Sequence, residues 1–387
     1  LIEISELERR VLVGDAARDG SADVLLLVTD WLPRLIEEQA LVPLDDFLAD
    51  RAPDGWPDAW VPSLRSLQQG PDGRTYGIAY HDGPVMLLYR RDLYEDREEQ
   101  RRFEQRHGRP LHPASSWEEL REQARFFTRP TDGLYGTLLA GFPDEHNNVY
   151  DFLTQLWSRG GELVLEGATS GLATPAAAEA YDYLHTLWHL DGVIDRRAAS
   201  WDSVASGTHF AAGEAALMVN WCGFASLSAD PSSPTHGRVG CAAVPSASPE
   251  RSAAATMNAY WVLALPAGCA RPRRAYELIR RLAASEMDLV TARAGGTATR
   301  RDTWSRPDVQ ALAPYYGVLE DAHRGARAIP RDPDWPAVAG VLNEMMRRLV
   351  EEGAGQEARL DAHEQLAGLL EMRSRSPRQA TSGEAGR

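Results

Sequence analysis

Lysine is absent from all 387 residues, so each of the 41 basic positions is an arginine. That absence excludes a phosphate-binding loop ending in Gly-Lys-Ser/Thr, and it excludes Schiff-base chemistry of the pyridoxal or aldolase kind. Positive charge is also outnumbered: the net charge is −15, which argues against a nucleic-acid or anionic-membrane surface. Cysteine is scarce. Cys222, Cys241 and Cys269 make 3, an odd count that fits one disulfide or three reduced thiols. No apolar run reaches membrane-spanning length and no Gly-x-Ser-x-Gly nucleophile elbow occurs; a signal sequence is not present in the chain and is expected upstream of Leu1. There is no internal repeat and no Pro- or Gly-rich linker between two consecutive beads. The chain opens in a strand-like Leu1-Ile2-Glu3-Ile4, so a native start further upstream is expected.

What is present reads as alternating strands and helices, the pattern of an α/β fold. Ser5 to Ala17 is expected to be a helix, with Ser5 and Glu8 in capping-box spacing. Asp23 to Val28 is a continuous apolar run of the kind buried on both faces of a parallel sheet. A helix over Trp31 to Gln39 follows. Further helices are expected over Leu111–Arg125, Val149–Arg159, Pro175–Leu190, Trp201–Ala212, Pro272–Ala284, Glu286–Arg293 and Trp335–Glu352. Strands are expected over Ala216–Asn220, Arg238–Ala243 and Trp261–Leu265. The tail from Arg373, rich in Ser, Arg, Gly and Gln, has the composition of a disordered segment.

Six phrases in order then carry a resemblance. They are Asp23 to Trp31; Leu41-Val42-Pro43-Leu44-Asp45; Tyr76-Gly77-Ile78-Ala79; Leu88-Tyr89-Arg90-Arg91-Asp92-Leu93; Pro113 to Leu120 around Ser116-Trp117-Glu118-Glu119; and Phe210-Ala211-Ala212-Gly213-Glu214-Ala215-Ala216-Leu217-Met218, followed by Trp221. Together they resemble the extracytoplasmic solute-binding proteins of ABC importers, family 1, the carbohydrate-binding group of maltodextrin-binding protein. The chain departs from that pattern at Ala79, at Arg90-Arg91, and at Asn258-Ala259-Tyr260-Trp261. The resemblance implies an α/β, two-lobe periplasmic-binding-protein (type II) fold, each lobe a mixed sheet flanked by helices, joined by a multi-strand hinge. It implies an amino-terminal lobe of residues 1–80 and 259–312, with its first strand and helix upstream of Leu1, and a carboxy-terminal lobe of residues 84–255 and 313–372. It further implies a non-enzymatic monomer outside the cytoplasm that takes a sugar or oligosaccharide in the cleft, without cofactor or metal, and delivers it to the permease subunits. A carbohydrate-active enzyme and a ligand sensor for a signalling receptor are the alternative readings.

A sugar offers hydroxyls at its rim and apolar C–H faces, so its site needs carboxylate or amide partners beside Trp or Tyr. Asp30 and Trp31 end the first apolar strand; a helix cap and simple packing are their plainer roles. His81 and Asp82 follow the crossing between lobes, where a solvated turn is the alternative. Asn147 and Asn148 stand at a helix start, as cap residues or as cleft groups reaching from the second lobe. Trp221 ends a strand and is either core or a stacking platform. Among Asn258, Tyr260 and Trp261 at the return crossing, one is expected to face the cleft. Arg300 matches an arginine that reaches the cleft in the resembling family, and Trp335 either stacks on sugar or staples its helix. His185 and His189, four apart on one helix, have the spacing of two zinc ligands but no third partner.

Overall fold

The computed structural model describes residues 4–247 and 255–375. Its architecture rests on β1 (Leu25–Val28), β2 (Ile78–His81), β3 (Val85–Arg90), β4 (Tyr135–Leu138), β5 (Ala215–Trp221), β6 (Val239–Ala242), β7 (Thr256–Met257), β8 (Trp261–Ala264) and β9 (Ala326–Arg327). Two principal sheets result. The first has the order β1-β8-β2 and is antiparallel throughout, with Leu25 opposite Ala264 and Trp261 opposite His81. The second is mixed, in the order β4-β5-β3-β6, with β5 parallel to β4 and antiparallel to β3. Leu27, Ile78 and Val262 are fully enclosed in the first lobe, as are Leu87, Leu88 and Met218 in the second. Burial of such side chains stabilises each lobe by roughly 1.5–3 kcal/mol per residue before the entropy cost of ordering.

The chain crosses between the sheets more than once. It passes from β2 to β3 through Asp82-Gly83-Pro84, returns from β7 to β8, and crosses again beside β9, which pairs in parallel with β7. The Thr256 hydroxyl donates to the Val85 carbonyl, tying the later crossings to the first. That is a hinge of several strands.

Local signals act where the sequence places them. Ser116 caps helix Trp117–Phe127, its hydroxyl accepting from the Glu119 amide at 3.2 Å, while the Glu119 carboxylate accepts from the Ser115 amide at 2.8 Å. Gly213 closes the turn after helix Ser203–Ala211 at φ +85°, a backbone angle that glycine adopts without a Cβ penalty.

Other expectations need correction. β1 was expected among parallel neighbours, but its described partner is the antiparallel β8, because β8 re-enters this lobe from the other one. Of the expected strand Leu1–Ile4, Ile4 belongs instead to a helix that continues to Val13, and Leu1 to Glu3 lie outside the described residues. The expected tail from Arg373 is helical as far as Arg375, within helix Gln356–Arg375, and Arg373 pairs with Asp332 and, at 3.0 Å, with Asp334. The inward stripe of that helix is Ala358, Ala362, Leu366 and Leu370, half of it alanine, which hides the periodicity. Residues 376–387 of the expected tail lie outside the described residues.

Candidate functional site

β1 stops at Val28, and Thr29–Trp31 form one 3-10 turn leading into helix Leu32–Glu37. Thr29 fastens this turn to the return crossing: its amide donates to the Tyr260 carbonyl at 2.9 Å, and its hydroxyl accepts from the Tyr260 amide at 3.3 Å. Asp30 does not cap the helix. Its half-buried carboxylate accepts the Tyr150 hydroxyl, which reaches across from helix Asn147–Ser158 of the second lobe. Burial pushes the Asp30 carboxyl above the usual carboxylate range, against the lowering effect of that hydrogen bond. Burial, together with the Asp30 charge, raises the Tyr150 hydroxyl as well.

The opposite wall is built at the start of the Tyr150 helix. The Asp144 carboxylate accepts from the amides of His146 and Asn147, both at 2.9 Å, and from the Asn147 side chain at 2.7 Å. Asn147 in turn accepts the indole N–H of Trp221 at 3.1 Å. Trp221, the last residue of β5, meets Tyr150 edge to face at 5.8 Å and 83°. Between the walls lies a narrow cleft, part of it open to solvent, with Glu8, Asp30, Trp31, His146 and Trp335 among its lining. Carboxylates and an imidazole beside indole rings, with the Tyr150 phenol and the Asn147 amide behind them, suit a small solute rich in hydroxyls.

The structure therefore brings Asp30, Trp31 and Trp335 to one cleft, with Asn147 and Trp221 connected to it through Tyr150. Trp31 is also packed edge-on against Trp261 at 6.3 Å. The remaining candidates are placed elsewhere. Asp82 is 0% exposed, so the solvated turn and the cleft role both give way to a buried strut. It accepts from His323 Nε2 at 2.7 Å, while His323 Nδ1 lies 3.0 Å from the Ser63 hydroxyl. The His323 ring stacks on Trp304 at 5.2 Å and 4°. His81 is half-buried opposite Trp261, and burial holds its imidazole below the usual range.

Asn148 is enclosed and donates to Asn343 at 3.1 Å. The Tyr260 hydroxyl is spent on the Leu64 carbonyl inside the first lobe. Arg300 is 2% exposed, donates to the Asp54 and Ala283 carbonyls and to Asp302, and lies 4.9 Å over the Trp60 ring. Its guanidinium is fully committed to the lobe interior and is not free to reach a solute. Asn258 is also buried, yet neither atom of its side-chain amide has a hydrogen-bond partner among the described residues. An amide with open capacity at the return crossing keeps Asn258 among the candidates.

Tyr150, Glu8 and His146 were missing from the sequence candidates. Tyr150 carries one usable signal, an aromatic ring in the first turn of the helix opened by Asn147 and Asn148. Glu8 was read only as part of a capping box. Among the described residues no cluster of His, Cys, Asp and Glu is arranged to hold a metal ion. His185 and His189 turn their Nε2 atoms to the carbonyls of Gly353 and Leu349, at 3.2 and 2.6 Å, and no group of three potential ligands forms around them among the described residues. Cys222, Cys241 and Cys269 are free thiols.

The bacterial extracellular solute-binding protein family matches residues 7–287. This chain belongs to that family. The family binds solutes and is not catalytic. A binding protein of Brucella abortus strain 2308 is 27% identical over 170 residues, 44% of this chain and 37% of the relative. The match thus spans little more than a third of the length of these curated relatives, Brucella suis included. Among solved structures, maltose-bound MalE3 of T. maritima superposes with a TM-score of 0.80 at 24% identity, over 95% of this chain and 89% of that one. A ribitol-bound solute-binding protein of Agrobacterium radiobacter K84 gives a TM-score of 0.82 at 19% identity, over 95% and 90%. UgpB of Mycobacterium tuberculosis, in complex with glycerophosphocholine, gives 0.76 at 19% identity, over 96% and 89%. These likenesses establish the α/β periplasmic-binding-protein fold. No helix among the described residues is long and apolar enough to cross a membrane.

Proposed function

We propose that this solute-binding protein captures a sugar or polyol between its lobes, outside the cytoplasm, and delivers it as a monomer to the permease subunits of an ABC importer. The observation that carries the reading is the pair of opposed walls: Asp30 and Trp31 on one side, Tyr150, Asn147 and Trp221 on the other, joined by the Tyr150–Asp30 hydrogen bond. Residues 1–80 with 259–312 make up one lobe and residues 84–255 with 313–372 the other. In that division the strand crossings are the pivots on which the cleft opens and closes. Maltose and ribitol in the structural relatives support a polyhydroxylated solute, as do the indole-lined walls.

Calorimetric titration of the full chain with mono-, di- and oligosaccharides and linear polyols tests this. Saturable one-to-one binding of at least one of them is the expected result. Binding of none, by protein shown to be folded, overturns the reading.

A further inference from the structure

The cleft holds carboxylates that make no ion pair among the described residues. Asp30 accepts the Tyr150 hydroxyl and has no ion-pair partner among the described residues. Glu8 and Glu145 line the same space, also without an ion pair among the described residues. Arg34, the arginine on this wall, is turned to other acceptors, the Glu38 carboxylate at 2.9 Å and the Leu12 carbonyl at 3.0 Å. His146 points its Nδ1 at the Asp144 carbonyl, 2.7 Å away. Burial raises the Glu8 carboxyl; the His146 imidazole opposes this, and the charges of Glu145 and Asp144 reinforce it.

A neutral sugar can donate hydroxyls to these groups, but it leaves the repulsion acting on Glu8 and the lost hydration of Glu8 and Asp30 in place. An acidic or phosphorylated sugar makes both worse. An ammonium group relieves both, and the indole side chains of Trp31 and Trp335, of a type that attracts cations, line the same cleft. The net charge of −15 acts at longer range in the same sense, drawing cations toward the protein.

We infer that the solute is a saccharide or cyclitol carrying an amine, held as ammonium against the Asp30, Glu8 and Glu145 carboxylates. This rests on the solute-capture reading and adds a charge to it. The test is calorimetry of the full chain at about pH 7 with matched sets of mono- and disaccharides, α- and β-linked. Each set contains the glucose, glucosamine, N-acetylglucosamine and glucuronate forms of one skeleton. The amine form is expected to bind at least about tenfold more tightly than its neutral and acetylated counterparts, and the uronate most weakly. Raising NaCl from about 50 to about 500 mM should weaken the amine form selectively. Glu8→Gln should narrow the amine-to-neutral ratio by about threefold.

Neutral or acetylated sugars binding as tightly as the amine, or the uronate binding best, overturns this inference and leaves the capture reading standing. Binding of no sugar in any form removes both.

Discussion

Asp30 and Asp82 follow two strands that flank the same neighbour, β1 and β2 on either side of β8, and in the sequence they look alike. Their fates differ because of what docks over each. Above Asp30 comes a helix of the other lobe, which supplies one hydroxyl and leaves a cleft. Over Asp82 comes helix Leu319–Arg324, which seats His323 on the carboxylate and closes off solvent. A carboxylate at a strand end is thus only an opportunity. The element arriving from far along the chain decides whether it meets solute or holds the fold.

Breaking the two sites separately should show this division, beginning with the largest effect. Asp82→Ala leaves His323 buried without its acceptor and should cost about 3 kcal/mol of stability in denaturant unfolding. Trp221→Ala removes the ring that holds Tyr150 and Asn147 in place beside the cleft and should weaken solute binding by about 2 kcal/mol by calorimetry, with a smaller loss of stability. Asp30→Asn should lower solute affinity by about tenfold, and its stability should be close to or above that of the wild type at neutral pH.

The sign of that last expectation follows from the raised Asp30 carboxyl. A carboxyl higher in the folded than in the unfolded state binds extra protons when folded, so the fold is penalised above the raised value and relieved as pH falls through it. The wild type should therefore gain more stability than Asp30→Asn on acidification from neutral pH into the window between the raised and ordinary carboxyl values. Tyr150→Phe has the smallest expected effect, about 1 kcal/mol or less on unfolding, because it removes one hydrogen bond that water replaces.

The sequence made some of this legible and hid the rest for a physical reason. Ser116 with Glu119, and the apolar β1 and β5, act through neighbours a few residues away, so their roles could be read directly. The strand-end Asp30 and Trp31 and the helix-opening Trp335 were legible as chemistry and as positions in a family pattern. Arg300, Tyr260 and Asp82 were not, because Asp54, Leu64 and His323, which claim them, lie far away in sequence. Tyr150 escaped for the same reason in reverse: its value comes from Asp30, 120 positions earlier.

The most direct measurement is a parallel calorimetric titration of the wild type, Asp30→Asn and Asp82→Asn with the tightest sugar from the matched sets, each protein first shown to be folded. The expected result is one-to-one binding by the wild type, a loss of about tenfold in Asp30→Asn, and near-wild-type affinity in Asp82→Asn despite its lower stability. Equal binding by the wild type and Asp30→Asn, or a selective loss in Asp82→Asn, would contradict the assignment of the cleft.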